Sequence, residues 1–206
     1  MIKKLEYDYH KSTVSPVKAI VAIHGWQGNR QSMQPLVSYL NFPDISWFFP
    51  EAPYAVNGVK SDRSWSYEIK KGVWEIDEPR RLLKQFFNEI FQSFKPEQVF
   101  VMGFSQGGLV CLEYVLQMDT SLGGVFPIAG FLRDSGADIP CFHPKQKNTP
   151  ILIGHGSEDD VVPVRASEKA FKLLKEQSAN VELLIYKGKH KIGVEYLKRM
   201  KVIIQS

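Results

Sequence analysis

Short runs of consecutive apolar residues alternate along this chain with longer stretches whose apolar positions recur every three or four residues. The first run, Ala19-Ile20-Val21-Ala22-Ile23, shows no polar alternation. A strand reads this way when helices cover both faces of a parallel sheet. Further runs stand at Ser46-Trp47-Phe48-Phe49, stopped by Pro50, and at 98–103, 124–129, 151–154 and 181–186. Between them the spacing predicts helices over 33–40, 78–94, 107–118, 164–177 and 193–203. The clearest is 78–94, where Leu82, Leu83, Phe86, Phe87, Ile90 and Phe91 form one buried stripe. The segment holding Gly58 and Gly72 reads as a polar loop, and 131–149, with Pro140 and Pro144, reads as irregular.

Strands and helices alternating at these lengths indicate an α/β fold, a mostly parallel central sheet with helices on both faces. Right-handed crossovers are expected. No repeat, low-complexity segment or Pro/Gly-rich linker divides the chain, and 206 residues is close to the usual size of one domain. Residues 1–206 are therefore read as one domain without a large cap. In such sheets ligands bind beyond the carboxyl ends of the strands, so the residues following each strand carry the functional signal.

Composition removes several classes. Apolar residues make up 44% and charged residues 23%, ordinary globular usage that excludes a disordered tail or a fibrous repeat. The apolar runs fall far short of the ~20 residues a spanning helix needs. The start, Met1-Ile2-Lys3-Lys4-Leu5-Glu6-Tyr7, has no apolar core of a signal peptide, so a cytoplasmic protein is expected. Net charge is +4, with no Lys/Arg run to hold a nucleic acid. Cys111 and Cys141 form no CxxC pair. They are expected to be reduced, and no metal site is expected.

After the run at 99–102 the chain reads Gly103-Phe104-Ser105-Gln106-Gly107-Gly108, a G-x-S-x-G between a strand and a helix. The glycines give room for a sharp, strained turn that lifts the Ser105 hydroxyl clear of the sheet. A serine hydroxyl is a weak nucleophile and needs a base. In this topology the chain order is Ser, then Asp or Glu, then His. Three histidines follow Ser105. His143 lies in the irregular segment, and His155 at a strand end, where it is expected to order its loop. His190, after the last strand, stands where the base is needed. The orienting acid should follow 151–154, where Glu158, Asp159 and Asp160 compete. Its role would be to fix the imidazole tautomer and stabilise the imidazolium. An oxyanion needs donors. The backbone N–H of Gln106 is one candidate, and the N–H of Trp26, in His24-Gly25-Trp26-Gln27-Gly28-Asn29, is the other.

These residues resemble the carboxylesterase/phospholipase family of the α/β-hydrolase fold, which includes the acyl-protein thioesterases. The resemblance covers most of the chain. It rests on His24-Gly25, on Ala52-Pro53, on Gly103-Phe104-Ser105-Gln106-Gly107-Gly108, on His155-Gly156-x-x-Asp159-x-x-Val162-Pro163 and on His190. It implies Ser105 as nucleophile, Asp159 as acid and His190 as base, with oxyanion donors at Trp26 and Gln106. The His-Gly-x-x-Asp spacing selects Asp159 over Asp160. Two departures stand out. Trp26-Gln27-Gly28 replaces the family's Leu-Gly-Asp, so the indole would narrow the mouth or wall the acyl site. The family's Trp-Tyr/Phe-Asp segment is shifted in Ser64-Trp65-Ser66-Tyr67-Glu68, where Trp65 is the candidate substrate contact.

The resemblance implies a carboxylesterase-type serine hydrolase. It would cleave esters or thioesters of small to medium acyl groups through an acyl-serine intermediate and would need no cofactor. A small-molecule ester or thioester is the expected partner, with the chain a monomer or homodimer. The alternatives are a catalytically silent hydrolase-like binding domain and a narrow acyl-protein thioesterase. A serine peptidase would usually carry a cap or propeller domain, for which this chain has no room.

Overall fold

The computed structural model describes residues 4–56, 58–133 and 142–206. Cys141 and most of the middle of the irregular 131–149 segment lie outside the described residues. Among those described, seven strands build one sheet in the order β1-β3-β2-β8-β9-β10-β11. They are β1 (Tyr7–His10), β2 (Lys18–Ile23), β3 (Ile45–Pro50), β8 (Val99–Phe104), β9 (Gly124–Ile128), β10 (Ile151–Gly156) and β11 (Val181–Tyr186). The pairs from β3 to β11 are parallel. Only β1, at one edge, runs antiparallel, with Tyr7 opposite Pro50.

Among the described residues five helices cover the sheet: α1 (Pro35–Leu40), α2 (Asp77–Ile90), α3 (Gln106–Glu113), α4 (Arg165–Glu176) and α5 (Val194–Gln205). The consecutive apolar residues of the strands divide between two cores. Ala19, Val21, Val99, Val101 and Ile153 point to one side, among Leu82, Leu83, Phe86 and Phe87 of α2, Leu109 and Leu112 of α3, and Leu174 of α4. Ile20, Ala22, Phe100, Met102 and Leu152 point to the other, among Leu40 of α1 and Tyr196, Leu197, Met200 and Ile204 of α5. Alternate strand residues face opposite ways, which is why these strands could be apolar at every position. Each fully buried Leu, Ile or Phe contributes about 1.5–3 kcal/mol. The Tyr196 hydroxyl donates to the Leu152 carbonyl at 2.7 Å and ties α5 to the central sheet.

Beyond the edge strand β1, which no apolar run predicts, and α2, which stops at Ile90 short of the expected 94, three features depart from the sequence expectation. The helix expected over 107–118 stops at Glu113, and a 3-10 turn, Val115–Gln117, follows. The carbonyls of this turn are claimed from elsewhere. The His143 amide donates to Leu116 O at 2.7 Å, and Gln146 Nε2 donates to Val115 O at 3.2 Å. The segment read as a polar loop instead forms two small hairpins. β4 (Tyr54–Val56) pairs with β5 (Val59–Ser64), and β6 (Glu68–Lys70) with β7 (Val73–Trp74). Finally, β10 continues past Gly154 and takes in His155 and Gly156, because these pair in register with Ile185 and Tyr186 of β11.

Candidate active site

The carboxyl ends of β2, β8, β10 and β11 converge on one edge of the sheet. At the end of β8, Ser105 adopts φ 55°, ψ −114°, a region that a side chain occupies only under strain. The surroundings enforce it. A Cβ on Gly103 would lie 2.1 Å from Gly107 O, and one on Gly107 would lie 2.2 Å from Ile23 O. The Ser105 amide donates to Ile128 O at 2.8 Å, while its carbonyl accepts from Leu109 N at 3.0 Å and starts α3. The turn is thus clamped between β2, β9 and α3. The Gln106 amide lies in the first turn of α3, where backbone N–H groups have no partner within the helix.

The acid loop follows β10. Its backbone is stitched to the end of β11, with Ser157 N donating to Tyr186 O and Glu158 N to Gly188 O, both at 2.8 Å. Of the three competing carboxylates, Asp159 turns inward and its side chain is fully buried. Its Oδ1 accepts from Val161 N and Val162 N, each at 2.9 Å. Its Oδ2 accepts from His190 Nδ1 at 2.7 Å. Burial opposes the charge on this carboxyl. The His190 hydrogen bond, the two amides and the His190 charge outweigh burial and hold its pKa below the ordinary value. Asp160 is exposed and faces Lys189 at 3.5 Å, and Glu158 is exposed. The His190 ring packs on Phe104, the residue before Ser105, with centroids 4.7 Å apart.

His155 is buried and orders the acid loop, as expected. Its Nε2 donates to Val162 O at 2.8 Å and lies 3.3 Å from Asp159 Oδ2. Its Nδ1 meets the Ser167 hydroxyl at 2.7 Å. Asp159 therefore sits between two imidazoles, a contact with His155 that the sequence did not suggest. His143 instead caps a 3-10 turn, accepting from Lys145 N at 3.3 Å.

On the opposite flank, residues 24–28 form the loop after β2. The His24 ring is fixed in one tautomer. Its Nε2 accepts from Ala52 N at 3.1 Å, so Nδ1 carries the proton and donates to Gly25 O at 2.7 Å. Burial, only partly opposed by the Gly25 bond, lowers the His24 pKa to about 4, so the ring is neutral near pH 7. Gln27 N donates to Arg63 O at 2.9 Å, and Arg63 N to Gly28 O at 3.0 Å. The Trp26 amide has no hydrogen-bond partner among the described residues, and its indole is 57% exposed.

Trp65 corrects an expectation. It has no exposed surface for a substrate to touch. Its indole N–H donates to His24 O at 3.0 Å, which places it beneath the loop. The Gln106 side chain is buried beside it and is bonded to Trp65 N at 3.0 Å and to Ser64 Oγ at 2.9 Å. The contacts of Ser64, Arg63 and Ser167 had no local signal in the sequence, because each reaches residues that are not its chain neighbours. Cys111 lies buried beneath the turn, and burial pushes its thiol pKa well up. Among the described residues no group of three or more His, Cys, Asp or Glu is arranged to hold a metal ion, and no helix is long and apolar enough to cross a membrane.

This sheet order and this strand–serine–helix turn are those of an α/β-hydrolase without a large cap. The model of the phospholipase/carboxylesterase family matches residues 10–206, and the chain belongs to that family. It is 30% identical to carboxylesterase SOBER1 of Arabidopsis thaliana over 87% of this chain and 86% of the relative. It is 28% identical to acyl-protein thioesterase 1 of Saccharomyces cerevisiae over 83% and 84%. The crystal structure of SOBER1 superposes with a TM-score of 0.77, covering 91% of this chain and 97% of that one. Esterase PE8, at 21% identity, shares the fold with a TM-score of 0.82 over 98% and 99%. The protein is thus a carboxylesterase-type hydrolase.

Proposed function

We propose that Ser105, Asp159 and His190 act as a catalytic triad on carboxylic esters or thioesters of small to medium acyl groups. His190 takes the Ser105 proton as the serine oxygen bonds to the acyl carbon, and returns it to the departing alcohol or thiol. Water, activated by the same imidazole, then frees the acid and restores Ser105. The Trp26 and Gln106 amides receive the oxyanion. We take the reaction to run in the cytoplasm, on a small-molecule ester or thioester.

The observation that carries this reading is the 2.7 Å bond from His190 to the buried Asp159. It leaves only Nε2 of that imidazole free to work as a base, on a ring packed against the residue preceding Ser105. Hydrolysis of p-nitrophenyl esters from acetyl to palmitoyl tests it. Wild type should turn over with a preferred chain length, and Ser105→Ala should lose on the order of a million-fold in kcat. Turnover retained in pure Ser105→Ala would end the proposal. A folded wild type that Ser105-directed phosphonates fail to label would favour a silent binding domain.

A further inference from the structure

A buried glutamine side chain at the first position of α3 and a buried tryptophan beneath the β2 loop need a reason to be polar. Burial of such groups is costly unless their hydrogen bonds are made. Here they are made: the Gln106 side chain bonds the Trp65 backbone amide and the Ser64 hydroxyl, and the Trp65 indole bonds the His24 carbonyl. Gln106 Oε1 accepts from the Trp65 amide at 3.0 Å. Gln106 Nε2 donates to Ser64 Oγ at 2.9 Å, and Ser64 Oγ in turn donates to Ser66 O at 2.6 Å. From the other end of Trp65, the indole N–H donates to His24 O at 3.0 Å. His24 then passes the restraint on, through Nδ1–H to Gly25 O at 2.7 Å.

That last bond acts on a rigid unit. The Gly25 carbonyl and the Trp26 N–H belong to one peptide plane, so fixing the carbonyl fixes where the amide points. The chain of contacts therefore begins at residue 106, whose own amide is one oxyanion donor, and ends on the peptide of residue 26, which carries the other. The Gly25 carbonyl also accepts from Gly28 N at 3.0 Å, and Gly107 of α3 packs on Ile23 O and His24 O, so the contacts through Trp65 act beside these.

We propose that Trp65 and the Gln106 side chain form a strut that sets the spacing and aim of the Trp26 and Gln106 amides toward the oxyanion. This rests on the reading of those amides as oxyanion donors. Trp65, with Ser64 behind it, is a positioning residue and touches no substrate. Its effect falls on the transition state, because the charge on oxygen develops only there.

Trp65→Phe removes the indole N–H and keeps an aromatic ring in place. On a p-nitrophenyl ester the expected result is a kcat lower by about 10- to 100-fold, the scale of a misplacement of about 1 Å, with KM within about twofold. A trifluoromethyl ketone adds Ser105 Oγ to its carbonyl carbon, leaves the negative charge on the ketone oxygen and places the serine proton on His190. Its affinity should weaken by the same factor as kcat. Ser64→Ala, the loss of one hydroxyl, should act in the same direction with a smaller change, and it decides the matter if Trp65→Phe does not fold.

Unchanged kcat and unchanged ketone affinity in a folded variant would overturn the strut. So would a ketone affinity that stays fixed while kcat and KM drift with thermal stability. Phosphonate labelling of wild-type Ser105 is measured alongside. Labelled Ser105 with an unaffected Trp65→Phe rejects the strut alone, whereas an unlabelled Ser105 with full activity in Ser105→Ala rejects the underlying site.

Discussion

The two flanks of Ser105 are held by different means. On the acid–base flank, Asp159 gathers its restraints from close by in the chain. Two amides come from the next turn of its own loop, and His155 comes from four residues earlier. Only His190 crosses from another segment. On the other flank, the loop after β2 is restrained from afar, by Ala52, 28 residues away, and by Trp65, 41 residues away. The first kind of site survives as a short motif in the sequence. The second is a product of the tertiary fold and has no local signature.

Three substitutions put that difference to the test. The largest effect belongs to the acid. Asp159→Asn keeps the shape of the side chain but favours the wrong His190 tautomer, and kcat should fall on the order of 10,000-fold. Ester turnover at pH 8 measures it, and a loss below tenfold would mean that His190 needs no orienting acid. Because the folded pKa of Asp159 is depressed, its contribution to stability is present above the ordinary carboxylate value. That contribution is lost as pH falls through the folded value.

The next effect lies at the seam between the flanks. A methyl group at Gly107 would meet Ile23 O at 2.2 Å and His24 O at 2.8 Å, so the serine turn and the β2 loop must separate. Gly107→Ala should cost about 3 kcal/mol or more, read by urea unfolding. A variant as stable as wild type would show that the two flanks are not in fixed contact.

The smallest effect concerns His24. Its folded pKa, about 4, lies below the unfolded value near 6.5, so the unfolded chain binds the extra proton first. Stability from this group is complete above about pH 7 and declines as pH falls toward 4. Between pH 7 and 5 the loss is about 2 kcal/mol. Denaturation at both pH values, with His24→Gln as reference, isolates it. Equal pH responses in the two proteins would mean that His24 is already charged or is solvated.

The same contrast explains what could be read from the sequence. The consecutive apolar runs gave away β2, β3, β8, β9, β10 and β11 because both faces of each are covered. The G-x-S-x-G and the strand ends pointed to Ser105, the acidic loop and His190 as candidates because their chemistry is local, and the structure brings Asp159 and His190 together. The edge strand β1 was not legible, since Tyr7-Asp8-Tyr9-His10 is short and mostly exposed. The hairpins of 54–74 read as a loop, because β5 is the polar run Val-Lys-Ser-Asp-Arg-Ser. Trp65 was assigned to the substrate from the resemblance of its segment to the family's Trp-Tyr/Phe-Asp, whereas in the structure it is tied to His24 and Gln106, which no local pattern connects to it. The early end of α3 was hidden for a similar reason. His143 and Gln146, some thirty residues on, take the carbonyls of the turn that follows it.

The edge strand has a consequence for the life of the protein in a crowded solution. A bare strand edge invites the edge of another molecule, the first step toward insoluble aggregates. Here the exposed edge is only four residues long, and it carries a carboxylate, Asp8, near its middle. That carboxylate is held in place by Gln34 at 2.6 Å and Gln31 at 3.3 Å, with Arg30 at 3.5 Å. A docking strand would have to lie beside this fixed charge. The antiparallel strand that completes the sheet on this side thus also discourages neighbouring molecules from extending it at that edge.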